Sequence, residues 1–492
     1  MSHRTISAAV VALLASTAAS AQTITPADLR GHVAVLASDA YEGREPGTAG
    51  GERAEAYVLQ AFAAAGLKPG APDGRWRQEV QMAEYRAATI GATVTRGGKP
   101  VALAASQIAG VGLTPRTAIT GAPLVFVGRG APDQLRGTDL KGAVAVVIGG
   151  TAPDAPAVPP AERNAALQAA GVVGVLTIAP ATAPWTDIAE AYSHLTLSGP
   201  VVRPGFSGIV PADLAPLLLG QSAADLRKAA IAPGFRPVPG NATIDIAATG
   251  TARRYTTANI VGMIPGSERP DEAVLLSAHW DHIGICRPEG APDRICNGAA
   301  DNASGTAILI EVAKVLAKQA PPKRSVYFVA TTSEEKGLIG ADAYAAAVAE
   351  TPLKIVANLN IDTSAIVPKG MPVAMVGRGN HPAIDAIVDQ TARAIGRGVD
   401  TDTEANIMVQ RQDGWAFGKR GIPAVMATGS VSDMKRLFAY LDGPYHKPND
   451  DLSNIDLTGA AEDADLHVAL ARALADPARY PTPAAAPATQ SK

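Results

Sequence analysis

The 492-residue chain has few cysteines, few aromatic side chains and little excess charge. Aromatic residues make up 4% of the chain and hydrophobic residues 47%, a composition typical of a soluble protein. The formal net charge is -3 and no run of basic residues occurs, so no nucleic-acid partner is expected. Because the chain is too long for one typical core, we expect two or three structural units.

Long apolar runs are also missing, and the first residues have the pattern of a signal peptide. Arg4 supplies a positive charge, an apolar stretch follows from Ile6 to Ala15, and Ala19-Ser20-Ala21 is typical of a cleavage site. An apolar stretch of about ten residues is too short for a stable membrane anchor. We therefore predict export to the periplasm or the extracellular medium, with no stable membrane insertion after signal removal. An uncleaved amphipathic helix is the alternative.

The only two cysteines, Cys286 and Cys296, flank a polar loop that contains proline. In an oxidising compartment, a disulfide that closes this loop is the simplest interpretation. Two free thiols and thiolate ligation of a metal are the alternatives. Ligation is disfavoured because the pair lacks the close Cys-x-x-Cys spacing of zinc sites.

The order of predicted elements indicates an α/β protein with an insertion. From about 110 to 245, short Val/Ala-rich strands are separated by Gly and Pro and carry no catalytic cluster, which favours an inserted accessory domain. Beyond residue 255, strands are predicted at 258–264, 273–278, 325–331, 354–361 and 422–428, and helices at 302–319, 337–350, 380–396 and 452–475. This alternation predicts a mostly parallel sheet that is covered on both faces.

Polar side chains follow the buried strands of this predicted sheet. They are His279, Glu334, Glu335 and Asp362, and Asp301 lies at the start of a predicted helix. Because ligand sites in such sheets lie beyond the carboxyl ends of the strands, we expect these side chains to meet at one rim. Imidazoles and carboxylates at the ends of buried strands need partners, and two divalent cations would satisfy all of them.

The residue types favour metal-assisted hydrolysis. Zinc in hydrolytic sites takes His and carboxylate ligands and keeps a position for water, whose pKa it can lower from about 15.7 to roughly 7. Glu334 and Glu335 point in different directions on an extended segment, so one can ligate while the other relays the water's proton to the leaving amine. Asp281, two residues after His279, suits an acceptor that orients the imidazole.

These motifs resemble the secreted co-catalytic di-zinc aminopeptidases, which include bacterial leucyl-type aminopeptidases. The resemblance rests on the segments Tyr41-Glu-Gly-Arg, Ser277-Ala-His-Trp-Asp-His, Asp301-Asn-Ala-Ser-Gly, Ser333-Glu-Glu-Lys-Gly and Tyr445-His-Lys-Pro-Asn-Asp. It implies a three-layer zinc-exopeptidase-like fold with a mostly parallel central sheet and an inserted β-rich protease-associated domain. The expected boundaries are a signal peptide at 1–21, a first peptidase part at 22–110, the insert at 111–245, the catalytic domain at 246–478 and a disordered tail at 479–492.

The same resemblance implies the metal ligands. His279 and Asp362 would bind one Zn²⁺ ion, Glu335 and His446 would bind a second, and Asp301 would bridge them. The implied cofactor is therefore two Zn²⁺ ions, and the implied substrates are peptides.

It also implies three catalytic roles. Glu334 would be the general base, Asp281 would support His279, and Tyr445 would help to hold the oxyanion. The stretch that begins at Arg411 departs from the family, because Gln412 replaces a serine and Gly414 replaces the third residue of a Ser-Asp-His or Ser-Asp-Gln motif. Since this stretch is expected to line the substrate pocket, the preferred substrate residue stays open.

Structural roles remain alternatives for individual residues. Asp301 could be no more than a helix cap, and Asn302 or Ser304 could cap the same turn. His282 is interpreted as a structural residue, because a further ligand would be redundant. Asp450 is a candidate to brace His446.

Our principal hypothesis is an exopeptidase that removes N-terminal residues from peptides. A carboxypeptidase of the glutamate-releasing type is an alternative and would need a basic cluster for the substrate's carboxylate. A non-catalytic ectodomain on the same fold is disfavoured, because all five direct ligands are present. The sequence leaves the oligomeric state open.

Overall fold

The computed structural model describes residues 23–150, 158, 160–180, 184–193, 196–197 and 205–483. The predicted signal peptide and most of the predicted disordered tail lie outside these residues. The helices are α1 Pro26–Leu36, α2 Ala49–Ala64, α3 Pro132–Leu135, α4 Pro160–Ala169, α5 Trp185–Ser193, α6 Ala215–Leu219, α7 Ala223–Ala230, α8 Gly305–Ala317, α9 Ile339–Ala349, α10 Pro382–Ala394, α11 Gly414–Gly418, α12 Met434–Asp442 and α13 Leu457–Ala475.

The strands carry most of the remaining regular structure. They are β1 Lys68–Pro69, β2 Arg77–Arg96, β3 Lys99–Leu103, β4 Ala109–Gly112, β5 Arg116–Phe126, β6 Val144–Ile148, β7 Gly174–Ile178, β8 Thr196–Leu197, β9 Phe206–Val210, β10 Val238–Ile264, β11 Arg269–His279, β12 Arg324–Thr331, β13 Lys354–Asn360, β14 Ala374–Val376 and β15 Ala424–Thr428. In the described residues, no helix is long and apolar enough to cross a membrane.

The described chain divides into two compact units. The first comprises the described residues up to Gln78, Ile260–Thr331 and those from Tyr344 onward, and the second comprises Glu79–Asn259 and Thr332–Ala343. The predicted limits of the inserted domain, 111 and 245, stay predictions.

The first unit is built on a mixed sheet in the order β14-β15-β13-β11-β12-β10, to which β10 contributes Ile260–Ile264. The four inner strands β15, β13, β11 and β12 run parallel, and β14 and β10 pair antiparallel at the two ends of this order. The predicted α/β fold with a mostly parallel central sheet is therefore confirmed. The antiparallel strand β14 was not predicted.

Continuous apolar runs explain why the central strands are inside. Every residue of β11 from Ala273 to His279 is buried, and β12 and β13 are buried along most of their length. Strands of parallel sheets are covered on both faces and therefore lose the alternation of polar and apolar residues. Helix α8 is likewise covered by the rest of the protein, because it is buried from Gly305 to Val312.

The second unit is rich in strands. Its sheet has the order β10-β5-β6-β7-β9-β4, in which β5, β6, β7 and β9 run parallel, and β2 pairs with β3, β8 and β10. Side chains of these strands form an apolar core together with α6 and α7, including Phe126, Val146, Leu176, Phe206 and Leu218.

Candidate metal centre

Two neighbouring strands bring the first site residues to one end of the sheet. His279 is the last residue of β11, and Asp362 lies two residues beyond the end of β13. The strands are parallel, with Ser277 opposite Asn360, and the Ser277 hydroxyl donates a hydrogen bond to Asn360 Oδ1 at 2.9 Å. Asn358 Nδ2 donates to Ser277 Oγ at 2.9 Å. This buried polar ladder fixes the two strand ends against each other.

One cluster of possible metal ligands consists of His279, Asp301 and Asp362. His279 Nε2 lies 3.2 Å from Asp301 Oδ1 and 3.4 Å from Asp362 Oδ1. All three side chains are buried, and their ligand atoms lie within 4.8 Å of one another. Asp362 Oδ1 also accepts the hydroxyl of Thr363 at 3.0 Å. The cluster presents one imidazole and two carboxylates, which is a suitable donor set for zinc.

A second cluster forms on the other oxygen of Asp301. His446 Nε2 lies 3.3 Å from Asp301 Oδ2, and His282 Nδ1 lies 4.0 Å from the same oxygen. The two imidazoles meet edge to face with ring centroids 5.5 Å apart. Asp301 therefore presents one carboxylate oxygen to each cluster.

His282 is a further candidate donor beside the second cluster. It was interpreted as structural, yet one of its ring nitrogens is within 4.8 Å of the ligand atoms of Asp301 and His446. His279 ends β11, and His282 lies three residues later in the turn that follows this strand.

Asp301 reaches this position through an irregular turn before α8. Residues Ala299–Ser304 form a π-helical turn, and the peptide bond between Asp301 and Asn302 is cis. Asn302 is the side chain that caps α8, because its Oδ1 accepts the amide of Gly305 at 2.9 Å. Its Nδ2 donates to the Ile361 carbonyl at 3.0 Å. Asn302 thus takes the capping role and ties this turn to the end of β13.

Asp450 supports the same turn. Its carboxylate accepts the amides of Ala300 at 2.9 Å and Asp301 at 3.1 Å, together with the hydroxyl of Tyr440 at 2.9 Å. Burial raises the pKa of Asp450, while the hydrogen bond from the Ala300 amide opposes that rise. Asp450 thus braces the Asp301 turn in addition to lying on the loop of His446.

Asp281 contacts the imidazole of His279 at its Nδ1 atom. His279 Nδ1 lies 3.2 Å from the backbone carbonyl oxygen of Asp281 and 3.9 Å from its Oδ1. The Asp281 side chain is fully buried. A partner on Nδ1 fixes the tautomer that leaves Nε2 to face Asp301 and Asp362.

Tyr445 lies against the last histidine. Its ring stacks on that of His446 with centroids 3.7 Å apart and planes inclined by 22°, and it meets Tyr440 edge to face at 5.8 Å. The stack limits the rotation of the His446 ring.

Glu334 and Glu335 lie three and four residues after the end of β12, on the Thr332–Ala343 segment of the second unit. The last residue of β12, Thr331, pairs with His279 in the sheet. The carbonyl of Glu334 accepts the amides of Gly337 at 2.8 Å and Leu338 at 2.9 Å, so the two glutamates lie in a tight turn.

Two buried carboxyl groups of the first unit have strongly perturbed pKa values. Burial acts to raise the pKa of Asp301, yet hydrogen bonds from His279 and His446 hold it well below 3.8. Burial raises the pKa of Asp413 to about 7, and the Thr331 hydroxyl donates to its carboxylate. Asp413 is a further residue that our sequence analysis did not single out, although it lies in the altered stretch that begins at Arg411.

Residues 259–471 match the model of peptidase family M28. The match covers less than half of the chain, and it shows that this segment is similar to that family. The M28 segment contains both clusters of possible ligands as well as Glu334, Glu335 and Tyr445.

Curated relatives match shorter stretches. Aminopeptidase NAALADL1 of Mus musculus is 29% identical over 143 residues, which are 27% of this chain and 18% of that protein. A probable zinc metalloprotease of Leptosphaeria maculans is 34% identical over 104 residues, which are 21% of this chain and 23% of that protein. The chain thus spans less than a quarter of the length of these relatives.

Among solved structures, an aminopeptidase from Aneurinibacillus sp. strain AM-1 is similar with a TM-score of 0.57. The likeness covers 92% of this chain and 94% of that chain at 18% sequence identity. At this identity it supports the fold alone.

Proposed function

We propose that the chain is an exported, zinc-dependent aminopeptidase that removes N-terminal residues from peptides with the help of two Zn²⁺ ions. The observation that carries the proposal is the orientation of Asp301. Its Oδ1 faces His279 at 3.2 Å, and its Oδ2 faces His446 at 3.3 Å. A buried carboxylate between two clusters of imidazole and carboxylate groups fits a pair of bridged cations.

We assign the ligands as the resemblance implies. His279 and Asp362 would hold the first ion, Glu335 and His446 would hold the second, and Asp301 would contribute to both sites. The assignment of Glu335 is supported by its carboxylate and by its position four residues after Thr331, the partner of His279 in the sheet. His282 would be an additional nitrogen donor for the second ion, which raises the number of candidate donors there.

Zinc bound at this site would acidify a water molecule and polarise the substrate carbonyl. Side chains of the protein carry out the proton transfer, orient the ligand imidazole and stabilise the developing negative charge. Glu334 accepts the proton of the attacking water and passes it to the leaving amine, a role that suits a carboxylate next to a ligand. Asp281 keeps the His279 imidazole in one tautomer, and the Tyr445 hydroxyl donates to the oxygen on which negative charge develops.

Several features support the cellular and substrate assignments. The relatives described above include an aminopeptidase and a probable zinc metalloprotease. The N-terminal pattern around Arg4 favours export, and the Cys286–Cys296 disulfide suits an oxidising compartment. The strand-rich second unit suits the protease-associated insert that we expect between 111 and 245.

A substrate panel tests the proposal. The mature protein is assayed on amino-acid anilides with a free amine, and on dipeptides that are blocked at the amine and free at the carboxyl end. We expect hydrolysis of the anilides only, loss of activity after chelation, and recovery when zinc is returned. Cleavage of the blocked dipeptides alone would favour a carboxypeptidase, and activity that survives complete metal removal would refute the zinc mechanism.

A further inference from the structure

A buried arginine lies behind the metal centre. Arg44 ends the short turn Asp39–Arg44 between α1 and α2, and none of its surface is exposed. Its guanidinium donates four hydrogen bonds to backbone carbonyls. They run to Trp280 at 2.9 Å, Leu36 at 2.8 Å, Asn297 at 2.6 Å and Gly298 at 2.9 Å.

The accepting carbonyls belong to segments that carry ligands. Trp280 lies between His279 and Asp281, and Gly298 lies three residues before Asp301. The backbone adds to this link, because the His282 amide donates to the Arg44 carbonyl at 3.4 Å. One side chain therefore joins the turn after β11 to the turn before α8.

We propose that Arg44 is a positioning residue of the metal centre, which sets the separation of the His279 and Asp301 segments through their backbones. The inference rests on the proposed metal centre. A planar guanidinium has five N–H donors in a fixed fork, so it can hold four carbonyls in fixed directions at once. A lysine has three donors on one atom and cannot span two separated turns in that way.

The cost of burying the charge supports a positioning role over a merely stabilising one. Taking a guanidinium out of water is expensive, and apolar side chains of similar volume often give an equal or more stable core. What an apolar side chain cannot supply is a set of directed bonds to chosen carbonyls. The expected consequence of losing Arg44 is a less ordered ligand set rather than only a weaker core.

The first unit offers a matched control in Arg324, which is also fully buried. Its guanidinium pairs with Glu272 at 2.6 Å and donates to the carbonyls of Leu474 at 2.9 Å and Tyr480 at 2.6 Å. Arg324 is the first residue of β12, so it lies at the opposite end of that strand from Thr331. Replacing Arg324 therefore removes hydrogen bonds of a buried guanidinium, as replacing Arg44 does, but at the end of β12 that is far from the proposed metal ligands.

The test compares Arg44→Met, Arg44→Lys and Arg324→Met in the full mature chain. Zinc affinity is measured by competition with a chelator at a temperature where each metal-free protein is folded. Cobalt-substituted protein reports the geometry of the ligands through its absorption spectrum. We expect Arg44→Met to bind zinc roughly 10- to 100-fold more weakly, with Arg44→Lys between it and the wild type. Arg324→Met should lower the unfolding midpoint while the zinc affinity and the cobalt spectrum stay unchanged.

Zinc affinity and a cobalt spectrum like those of the wild type in Arg44→Met would overturn the inference, as would an equal loss of affinity in Arg324→Met. If Arg44→Met does not fold, Arg44→Lys carries the test through hydrogen exchange of the amides at 297–301 in the metal-free protein. Faster exchange there supports the inference, and unchanged exchange together with unchanged affinity refutes it. A wild-type protein that binds no zinc would instead refute the proposed function.

Discussion

The carboxylate of Asp450 accepts the backbone amide of Asp301 at 3.1 Å. It also accepts the amide of Ala300 at 2.9 Å, while the amide of Ala299 donates to the Asp450 carbonyl at 3.0 Å. His446 lies four residues before Asp450 on the same loop. The loop of His446, a proposed ligand, therefore holds the turn of Asp301, the proposed bridging ligand, so the positions of the two side chains depend on each other.

Asp450→Asn tests this dependence. An amide has only one acceptor oxygen, so one of the two backbone amides loses its partner and faces a donor instead. We expect zinc affinity to fall roughly 10- to 100-fold, as measured by chelator competition. Asp451→Asn is the control, because Asp451 lies next in the chain and accepts from the Ser453 amide at 2.7 Å in an exposed turn. Equal affinities of the Asp450 and Asp451 variants would contradict the assignment.

Glu334→Gln separates catalysis from metal binding. The glutamine keeps the size of the side chain but cannot accept the water's proton, so we expect kcat to fall by roughly 10²- to 10⁴-fold. Zinc content, measured by mass spectrometry of the elements, should stay at the wild-type value. The same change at the exposed Glu350 should leave kcat unaltered. A Glu334→Gln protein with full activity would exclude this residue as the base.

Asp413 should give the metal-free protein a pH-dependent stability. Burial raises its folded pKa to about 7, whereas an unfolded aspartate titrates near about 3.9. The native state thus binds the proton of Asp413 more tightly than the unfolded state does, and this binding stabilises the native state. The stabilisation is fully present below the unfolded pKa and is lost as pH rises through the folded pKa. We expect the free energy of unfolding of wild type minus that of Asp413→Asn to decrease between about pH 4 and about pH 7. Urea titrations of both proteins measure it, and a constant difference would contradict the raised pKa.

The Cys286–Cys296 disulfide closes a short loop, with a sequence separation of 10 residues. In the chain-entropy account, a crosslink of this span stabilises a fold by about 2–3 kcal/mol. Replacing both cysteines with serine should lower the free energy of unfolding by about that amount. Reduced wild-type protein should unfold like the double variant. Identical unfolding of the oxidised wild type and the double variant would show that the bond contributes nothing.

Strong apolar periodicity made much of the fold predictable. The strand predicted at 273–278 is β11, Arg269–His279, and the helix predicted at 380–396 is α10, Pro382–Ala394. Long buried runs and amphipathic stretches carry this information locally. Strand β14 escaped prediction because three residues are too few to show a period. Helix α12, Met434–Asp442, was also missed, although Asp433 caps it and its buried Leu437 and Tyr440 are three residues apart.

The types of residue in the site were easier to predict than the conformation of the turns that carry them. The sequence placed Asp301 at the start of a helix, but α8 begins only at Gly305, after a turn whose shape depends on distant partners. Asp450 and Arg44 hold that turn from sequence separations of about 150 and 250 residues, which no local pattern reveals. The position of His282 depends on the same contacts, so its proximity to His446 could not be inferred from spacing alone.

Anomalous scattering at the zinc edge, measured on crystals of the purified protein, tests whether Asp301 lies between two zinc ions. We predict two anomalous peaks, one on each side of the Asp301 carboxylate. One peak should lie next to His279 and Asp362, and the other next to His446. A single peak, or peaks that do not touch Asp301, would contradict the account.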